Sequence, residues 1–269
     1  MTEAYYDVPD AKGAKVTTPA SNMRSLDRSF DVLDALQAAK QPMRLAEIAR
    51  ASGLHIATAQ RIVNVLVTRG YAARSSDGYT AGPAALAVAH AYLVSNPLSA
   101  LAQPVLQQLA TNTGYTASLY VRVEYSRVLV ARVESEHPLS YVLPVGERLP
   151  LHLGGAGKIF LAEMDPEDVG RALDGVGDVR FAGGDTLSRK GFEAMLDRVR
   201  TDGYAVSVSE RLIGIASVAA PVHAADGTLC AALGLTGPAD AIDGTARLTL
   251  VAEARRAADA FGSRIPVTK

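Results

Sequence analysis

Cysteine is nearly missing from this 269-residue chain: Cys230 is the only one. An internal disulfide is excluded, and so is a thiolate metal cage. Its setting, Leu229-Cys230-Ala231-Ala232-Leu233, predicts a place in an apolar strand. The five histidines (His55, His90, His137, His152 and His223) form no i, i+4 pair, so neither a metal nor a cofactor is expected. No G-x-S-x-G elbow is present, and Ser217 sits between Ala216 and Val218 in a strand-like run. In His152-Leu153-Gly154-Gly155-Ala156-Gly157-Lys158-Ile159 the first glycine and the hydroxyl residue of a phosphate loop are replaced by His152 and Ile159. These absences together argue against an enzyme, and no catalytic residue is assigned.

Net charge is also missing, at −1 overall, which argues against a protein that coats nucleic acid along its length. Long apolar runs are absent: the longest, from Ala84 to Val94, is interrupted by His90 and too short to span a bilayer. The N-terminus lacks the basic-then-apolar pattern of a signal peptide, so a cytoplasmic protein with no membrane partner is expected. Internal repeats and low-complexity tracts are absent as well.

What is present centres on Met43 to Gly70. The stretch reads as a helix over Leu45–Ala51, a turn at Ser52-Gly53-Leu54, and a second helix from near Ile56 to Gly70. Gly53 stands where a positive φ is often needed. Ala59, Ile62, Val63, Leu66 and Val67 fall at the spacing of a core-facing stripe. Ala57, Arg61, Asn64 and Thr68 lie opposite, with Thr58, Gln60 and Val65 on the flanks. That outer face carries no acid. Small residues let a helix approach a duplex, Arg can fork onto guanine, and Gln or Asn can pair with adenine. An ordinary amphipathic helical hairpin would show the same core stripe.

The flanking sequence favours the nucleic-acid reading. A helix from Ser25 to Lys40 is expected to start on Ser25 as cap and to bury Leu26, Phe30, Leu33 and Leu36. After Gly70, Tyr71–Arg74 and Tyr79–Gly82 flank Ser75-Ser76-Asp77-Gly78, a hairpin signal. Three helices followed by a hairpin is the order of a winged helix-turn-helix, with Arg74 and Ser75 on the wing. Residues 23–82 carry a net charge of +3 and the remainder from Pro83 carries −3, a basic module on an acidic body.

A further helix, Pro83 to Ser95, ends at Asn96-Pro97 and carries more apolar surface than a small domain can cover. It reads as a linker that packs on its own domain or on a second subunit. Beyond it, helices and strands alternate. A helix spans Leu98–Thr113 with a possible break at Pro104, and strands span Thr116–Val123, Val128–Val133 and Leu139–Leu143, then a loop to Pro150. Helices follow from Gly157 and from Asp165, a Gly-rich loop at Arg180–Thr186, and a helix capped by Ser188. The last strands are Ala205–Ser209, Ile215–Val222 and Thr228–Leu235, before a helix from Asp240 to Ser263. The fold class is α+β, with a mostly antiparallel sheet flanked by helices. The domains read as a mobile tail (1–22), a DNA-binding domain (23–82), a linker helix (83–97) and a ligand-binding domain (98–269). The Gly-rich turn into the helix at Gly157 offers free N–H groups to a carboxylate, or serves only close helix–sheet packing. Glu210 and Arg211 could clamp a polar ligand, though a solvated surface pair is the commoner meaning.

Ordered motifs run through some 240 residues. They include Ser25-Leu26-x-Arg28; Leu45-Ala46-Glu47-Ile48-Ala49-Arg50; Ala57-Thr58-x-x-Arg61; Leu149-Pro150-Leu151-His152; Gly157-Lys158; Gly203-Tyr204-Ala205-Val206; Glu210-x-x-x-Gly214; and Ala219-Ala220-Pro221-Val222. On these the chain resembles the IclR-type transcriptional regulators. The resemblance implies a GAF-like C-terminal domain that binds a small organic acid. It also implies a homodimer or dimer of dimers on double-stranded DNA with a palindromic operator, acting as repressor or activator. By that resemblance Gly155, Ala156, Ser207, Ser217, Gly234 and Thr236 line the effector pocket.

The chain departs from the family pattern in places. Ser207-Val208-Ser209 replaces an acidic run, Ser217 a frequent Cys, Gly234 a frequent Ser, and His55-Ile56 the usual Pro or Lys before the second helix. A roomier pocket is expected, for an aromatic or longer acid. The expected division of labour gives base edges to Ala57, Gln60, Arg61 and Asn64, and phosphates to Arg28, Arg44, His55, Thr58, Arg74 and Ser75. The alternative is a ligand sensor that works through protein contacts alone.

Overall fold

Apolar side chains one helical turn apart organise the N-terminal part of the computed structural model, which describes residues 23–39, 41–96, 98–135 and 143–265. These residues form two compact units that divide between Asn96 and Leu98. Residues 1–22, 139–142 and Lys40, on which a tail, most of a strand and a helix end were expected, lie outside the described set.

In the first unit, α1 (Arg24–Ala38), α2 (Leu45–Ala51) and α3 (Ile56–Thr68) precede a hairpin of β1 (Ala72–Arg74) and β2 (Tyr79–Ala81). Their core joins Val32, Leu36, Ile48, Val63, Leu66, Ala72 and Tyr79. Gly53 takes φ +67° in the turn between α2 and α3, as expected. Two features of α1 differ from the sequence reading. The helix starts at Arg24, and the Met23 carbonyl, not the Ser25 side chain, accepts from Leu26 and Asp27. Val32 and Leu36 set the docking direction, so Leu26 and Phe30 stay exposed. Phe30 lies two residues, about 200°, round the helix from Val32. The Met43 N–H donates to the Tyr79 carbonyl (2.9 Å) and the Tyr79 N–H to the Met43 carbonyl (2.8 Å), tying the chain ahead of α2 to the wing. The next helix, α4 (Ala84–Ser95), buries none of its residues.

The second unit is built on a six-stranded antiparallel sheet. Its strands are β3 (Thr116–Val123), β4 (Ser126–Val133), β5 (Arg148–Pro150), β8 (Ala205–Val208), β9 (Ile215–His223) and β10 (Leu229–Pro238), in the order β5-β4-β3-β10-β9-β8. Against one face pack α5 (Leu98–Thr113), which runs on through Pro104, and α9 (Gly244–Gly262). On the other face lie α6 (Gly155–Ala162), α7 (Pro166–Ala172) and α8 (Arg189–Asp202), with Phe160, Phe192 and Leu196 at the centre of that layer. The middle strand β10 is covered on both faces, and its run Ala231-Ala232-Leu233-Gly234-Leu235 is accordingly apolar without alternation.

Several boundaries moved. β4 begins at Ser126, so the hairpin turn is Glu124-Tyr125, with Glu124 at φ +51°. The chain before Pro150 is not all loop: β5 pairs with Ser126–Val128. Around the Gly-rich loop, β6 (Val179–Arg180) and β7 (Thr186–Leu187) form a small hairpin. The last helix starts at Gly244, after a short 3-10 turn at Ala239–Ala241.

Two bulges reorient side chains. In the β3–β4 ladder Leu119 faces Ala131 but Tyr120 faces Leu129, which leaves Val130 as the extra residue. Val130 and Ala131 both join the core under α5 and α9, while Leu129 joins Leu143 and Leu149 on the opposite face. In β10 the register shifts between Leu229 and Ala231, which places Cys230 in a bulge. Cys230 is therefore only partly buried, its Sγ 3.5 Å from the Thr228 carbonyl, rather than a full member of the core.

Candidate functional site

The exposed side of α3 takes its character from the residues its core stripe leaves over. With Ala59, Val63 and Leu66 buried, Ala57, Arg61 and Asn64 are exposed and Thr58 and Gln60 half-buried. No acid lies on α3. The Gln60 Nε2 donates to Asn64 Oδ1 at 2.8 Å, so two of the four expected base readers are joined. His55 occupies the N-cap position of α3 without a side-chain cap bond; its carbonyl accepts from Thr58 and Ala59. Arg44 is exposed ahead of α2, its N–H donating to Glu47 Oε2 at 2.7 Å, and Arg28 is exposed on α1. On the wing the Arg74 guanidinium lies 5.9 Å from the Tyr79 ring centroid. The Ser75 hydroxyl donates to the Gly78 carbonyl (3.2 Å), so it also closes the wing turn.

The second unit holds a cavity between the sheet and the start of α6. Ladder register explains which side chains reach it. Ser207, Ser217, Thr236 and Thr116 stand side by side across β8, β9, β10 and β3. Two rungs along, on the same face, Ala219, Gly234, Ser118 and Arg132 form a second row across β9, β10, β3 and β4. Gly155 and Ala156 supply the wall opposite. All six residues expected around an effector, Gly155, Ala156, Ser207, Ser217, Gly234 and Thr236, line this one cavity.

The Gly-rich turn does not leave its first N–H free for an outside carboxylate. The Gly154 N–H donates to Glu210 Oε2 (2.8 Å) and the Gly155 N–H is 3.4 Å from Ser217 Oγ. The carboxylate at this helix start is thus the chain's own. Glu210 is buried, not a solvated surface group, and its other oxygen accepts from Lys158 Nζ. Lys158 is buried as well and donates to the Val206 carbonyl at 2.5 Å. Burial pushes the Lys158 pKa down, and the Glu210 carboxylate opposes that shift.

Sequence reasoning missed Tyr120, Arg127 and Arg132, all of which line the cavity. Arg127 is 4% exposed; it donates to the Pro150 carbonyl and sits 5.6 Å from the Tyr120 ring centroid. Burial lowers its pKa to about 10, so it remains a cation at neutral pH. His152, in the turn after β5, is held neutral, its pKa lowered to about 4 by burial first and by Arg127 second. The available signal was two arginines in the otherwise apolar run Arg127-Val128-Leu129-Val130-Ala131-Arg132. Arg211 and Leu212 close the rim. Among the described residues no group of three or more His, Cys, Asp or Glu is placed to hold a metal, and no single helix is long and apolar enough to cross a membrane.

Comparison with known proteins bears on both halves. Residues 90–262 match the family described as "Bacterial transcriptional regulator IclR C-terminal", and residues 25–76 match "IclR helix-turn-helix domain". The chain is 32% identical over 245 residues to the glycerol operon regulatory protein of Streptomyces griseus, covering 90% of this chain and 96% of that one. A solved transcriptional regulator of Rhodococcus superposes with a TM-score of 0.71 at 29% identity, over 89% of this chain and 96% of the other. The inducer-binding domain of a double mutant of PobR from Acinetobacter, solved with 3-hydroxybenzoic acid, gives a TM-score of 0.55 at 27% identity, over 62% of this chain and 98% of that one.

Proposed function

Because the chain belongs to the IclR family of bacterial transcriptional regulators, we propose that it switches operator affinity when a small carboxylic acid enters the sheet cavity. It is a DNA-binding regulator of that family with a C-terminal effector-binding domain. The observation that carries the output half is the acid-free exposed side of α3, with Ala57, Gln60, Arg61 and Asn64 at its surface and Arg74 on the adjoining wing. Ala57, Gln60, Arg61 and Asn64 read base edges; Arg28, Arg44, His55, Thr58, Arg74 and Ser75 hold phosphates and fix register.

The uncovered apolar surface of α4, with Leu86 72% and Val94 71% exposed, supports a homodimer seam. A dimer meets half-sites about one helical turn (~34 Å) apart, so a small reorientation of two α3 helices changes affinity. The effector domain works as a sensor, not as an enzyme. The PobR relative, solved with a hydroxybenzoic acid, supports a carboxylic acid as the ligand class.

Selection of bound duplexes from a random library by the full-length chain tests this. A palindromic consensus that is bound or released on adding a carboxylic acid is expected. Failure to enrich any sequence would remove the DNA-reading role.

A further inference from the structure

Two buried guanidinium groups on β4 have N–H donors that none of the described residues accepts. Among the described residues, Arg127 Nε has no hydrogen-bond partner, nor do Arg132 Nε and Nη2. Each arginine is anchored elsewhere: Arg127 by the Pro150 carbonyl, Arg132 by its Nη1 donating to the Leu143 carbonyl at 3.0 Å. The half-exposed Glu134 forms an ion pair with Arg132 Nη2 at 3.7 Å, too long for a hydrogen bond. A buried charged donor left unmet is costly, because it has given up its hydration without a replacement acceptor. Such groups persist where a ligand supplies the acceptor.

The bulge at Val130 is what brings the two together. Residues five apart on a regular strand point to opposite faces. The extra residue restores the phase, so Arg127 and Arg132 both line the cavity. Their Cα atoms are about four rungs, or ~13 Å, apart along the strand. Arg127 faces the β5 end, where its neighbour in the ladder is Leu149; Arg132 faces Ser118 at the other end. Among the described residues that line the cavity there is no Asp or Glu. Tyr120 lies on β3 between the rungs of the two cations, and Gly234 lies in the row of Arg132 beyond Ser118, where an added Cβ would meet nothing nearer than 3.7 Å.

We propose that the effector is a dicarboxylic acid that spans this cavity, one carboxylate on the Arg127 guanidinium and the other on Arg132, with its carbon skeleton over Tyr120 and Gly234. The proposal rests on reading the cavity as the effector site. A monoacid would meet the unused N–H groups of one arginine and leave those of the other unmet. A single phosphate would concentrate both charges on one centre and reach only one end.

Calorimetric titration of the full-length chain with hexanedioate, its monomethyl ester, hexanoate and phenyl phosphate, and with 1,4-benzenedicarboxylate and its monoester, tests it. The diacid of one skeleton is expected to bind at least ~30-fold tighter than its monoester. Arg132→Gln should bring the diacid down to the monoester level and leave the monoester within about twofold; Arg132→Lys should recover part of the loss. Equal binding of diacid and monoester, equal weakening of both by Arg132→Gln, or phenyl phosphate matching the best diacid would each overturn the two-anion assignment. Gly234→Val separates the two layers. If acids bind and Gly234→Val blocks them but diacids gain nothing, the inference falls and the cavity reading stands. If no acid binds, or binding survives Gly234→Val, the cavity reading falls and the inference with it.

Discussion

Gln60 Nε2 donates to Asn64 Oδ1 over 2.8 Å, one turn apart on α3. The bond leaves Gln60 with a free carbonyl oxygen and Asn64 with a free amide nitrogen. One acceptor and one donor, held side by side, match the N6–H and N7 edge of adenine. Under the proposed function the two residues would act as one reading unit. Replacing either with Ala should cost about 1–3 kcal/mol at the cognate site. The double replacement should cost less than the sum by at least ~0.5 kcal/mol. Fluorescence anisotropy on the selected duplex measures all three. Additive losses would mean two independent contacts and would dissolve the unit.

Arg61 and Arg74 should separate in kind. Arg61 is exposed on α3, and Arg61→Ala should cost about 1–3 kcal/mol and relax selectivity at one base position. Arg74 lies at the wing, 5.9 Å from the Tyr79 ring, with its guanidinium available to a phosphate. Arg74→Ala should weaken all duplexes alike and reduce the salt slope of binding by ~1. An unchanged slope would take the wing out of the interface; a uniform loss from Arg61→Ala would make Arg61 a phosphate contact.

The helical unit was legible because its signals are local. The stripe of Ala59, Val63 and Leu66, the positive φ at Gly53 and the Asp77-Gly78 turn each act within a few residues, and α2 and α3 begin at Leu45 and Ile56 as read. α1 was misjudged because its docking direction is set by Ile48 and Val63 across the core, which its own sequence cannot state. The six expected cavity residues came from motif resemblance, and the ladders bring them together. The arginines were unreadable for a different reason. Arg127 fell just outside the strand read from Val128, and a bulge at Val130, which periodicity cannot show, decides which face Arg132 takes. Glu210 looked like a surface charge because its partner Lys158 lies 52 residues away in sequence.

Two glycines near the cavity should respond oppositely to alanine. A Cβ on Gly157 would lie 2.1 Å from the Leu151 carbonyl oxygen and 2.6 Å from an Arg127 nitrogen, so α6 would have to move off the chain after β5. A Cβ on Gly234 would make ordinary van der Waals contact, 3.7 Å from the Tyr120 ring and from the Val218 carbonyl oxygen. Gly157→Ala should destabilise the unit by about 1–3 kcal/mol or more through overpacking. Gly234→Ala should stay within ~1 kcal/mol of the parent while narrowing the cavity. Urea denaturation distinguishes them, and equal stabilities would contradict the close approach of α6.

The buried pair of Lys158 and Glu210 fixes the loop from Ser209 to Gly214, whose Arg211 and Leu212 line the cavity. Glu210→Gln keeps an acceptor for the Gly154 N–H but leaves the Lys158 ammonium without its counter-charge. Removing one partner of a buried pair costs about 3–5 kcal/mol. Adding Lys158→Met to Glu210→Gln removes the stranded charge and should recover much of that loss. Should the double variant be less stable than Glu210→Gln, the pair would not be acting as a compensated charge.

His152 gives the unit a defined acid sensitivity. Its ring is held neutral in the folded chain, with a pKa of about 4 against an ordinary 6.5, because burial and the neighbouring Arg127 both disfavour a second positive charge. The unfolded chain therefore binds an extra proton between those two values. Stability from this residue is complete above about pH 6.5 and is lost as pH falls toward 4. The depression bounds the loss at about 3 kcal/mol, and partial exposure of the ring reduces it. His152→Asn cannot titrate, so its denaturation midpoint should fall less than the parent's between pH 7 and 4, the carboxylates being common to both. Parallel curves would show that the imidazole is charged in the folded state at pH 5, and the Arg127 guanidinium would then have to lie away from it.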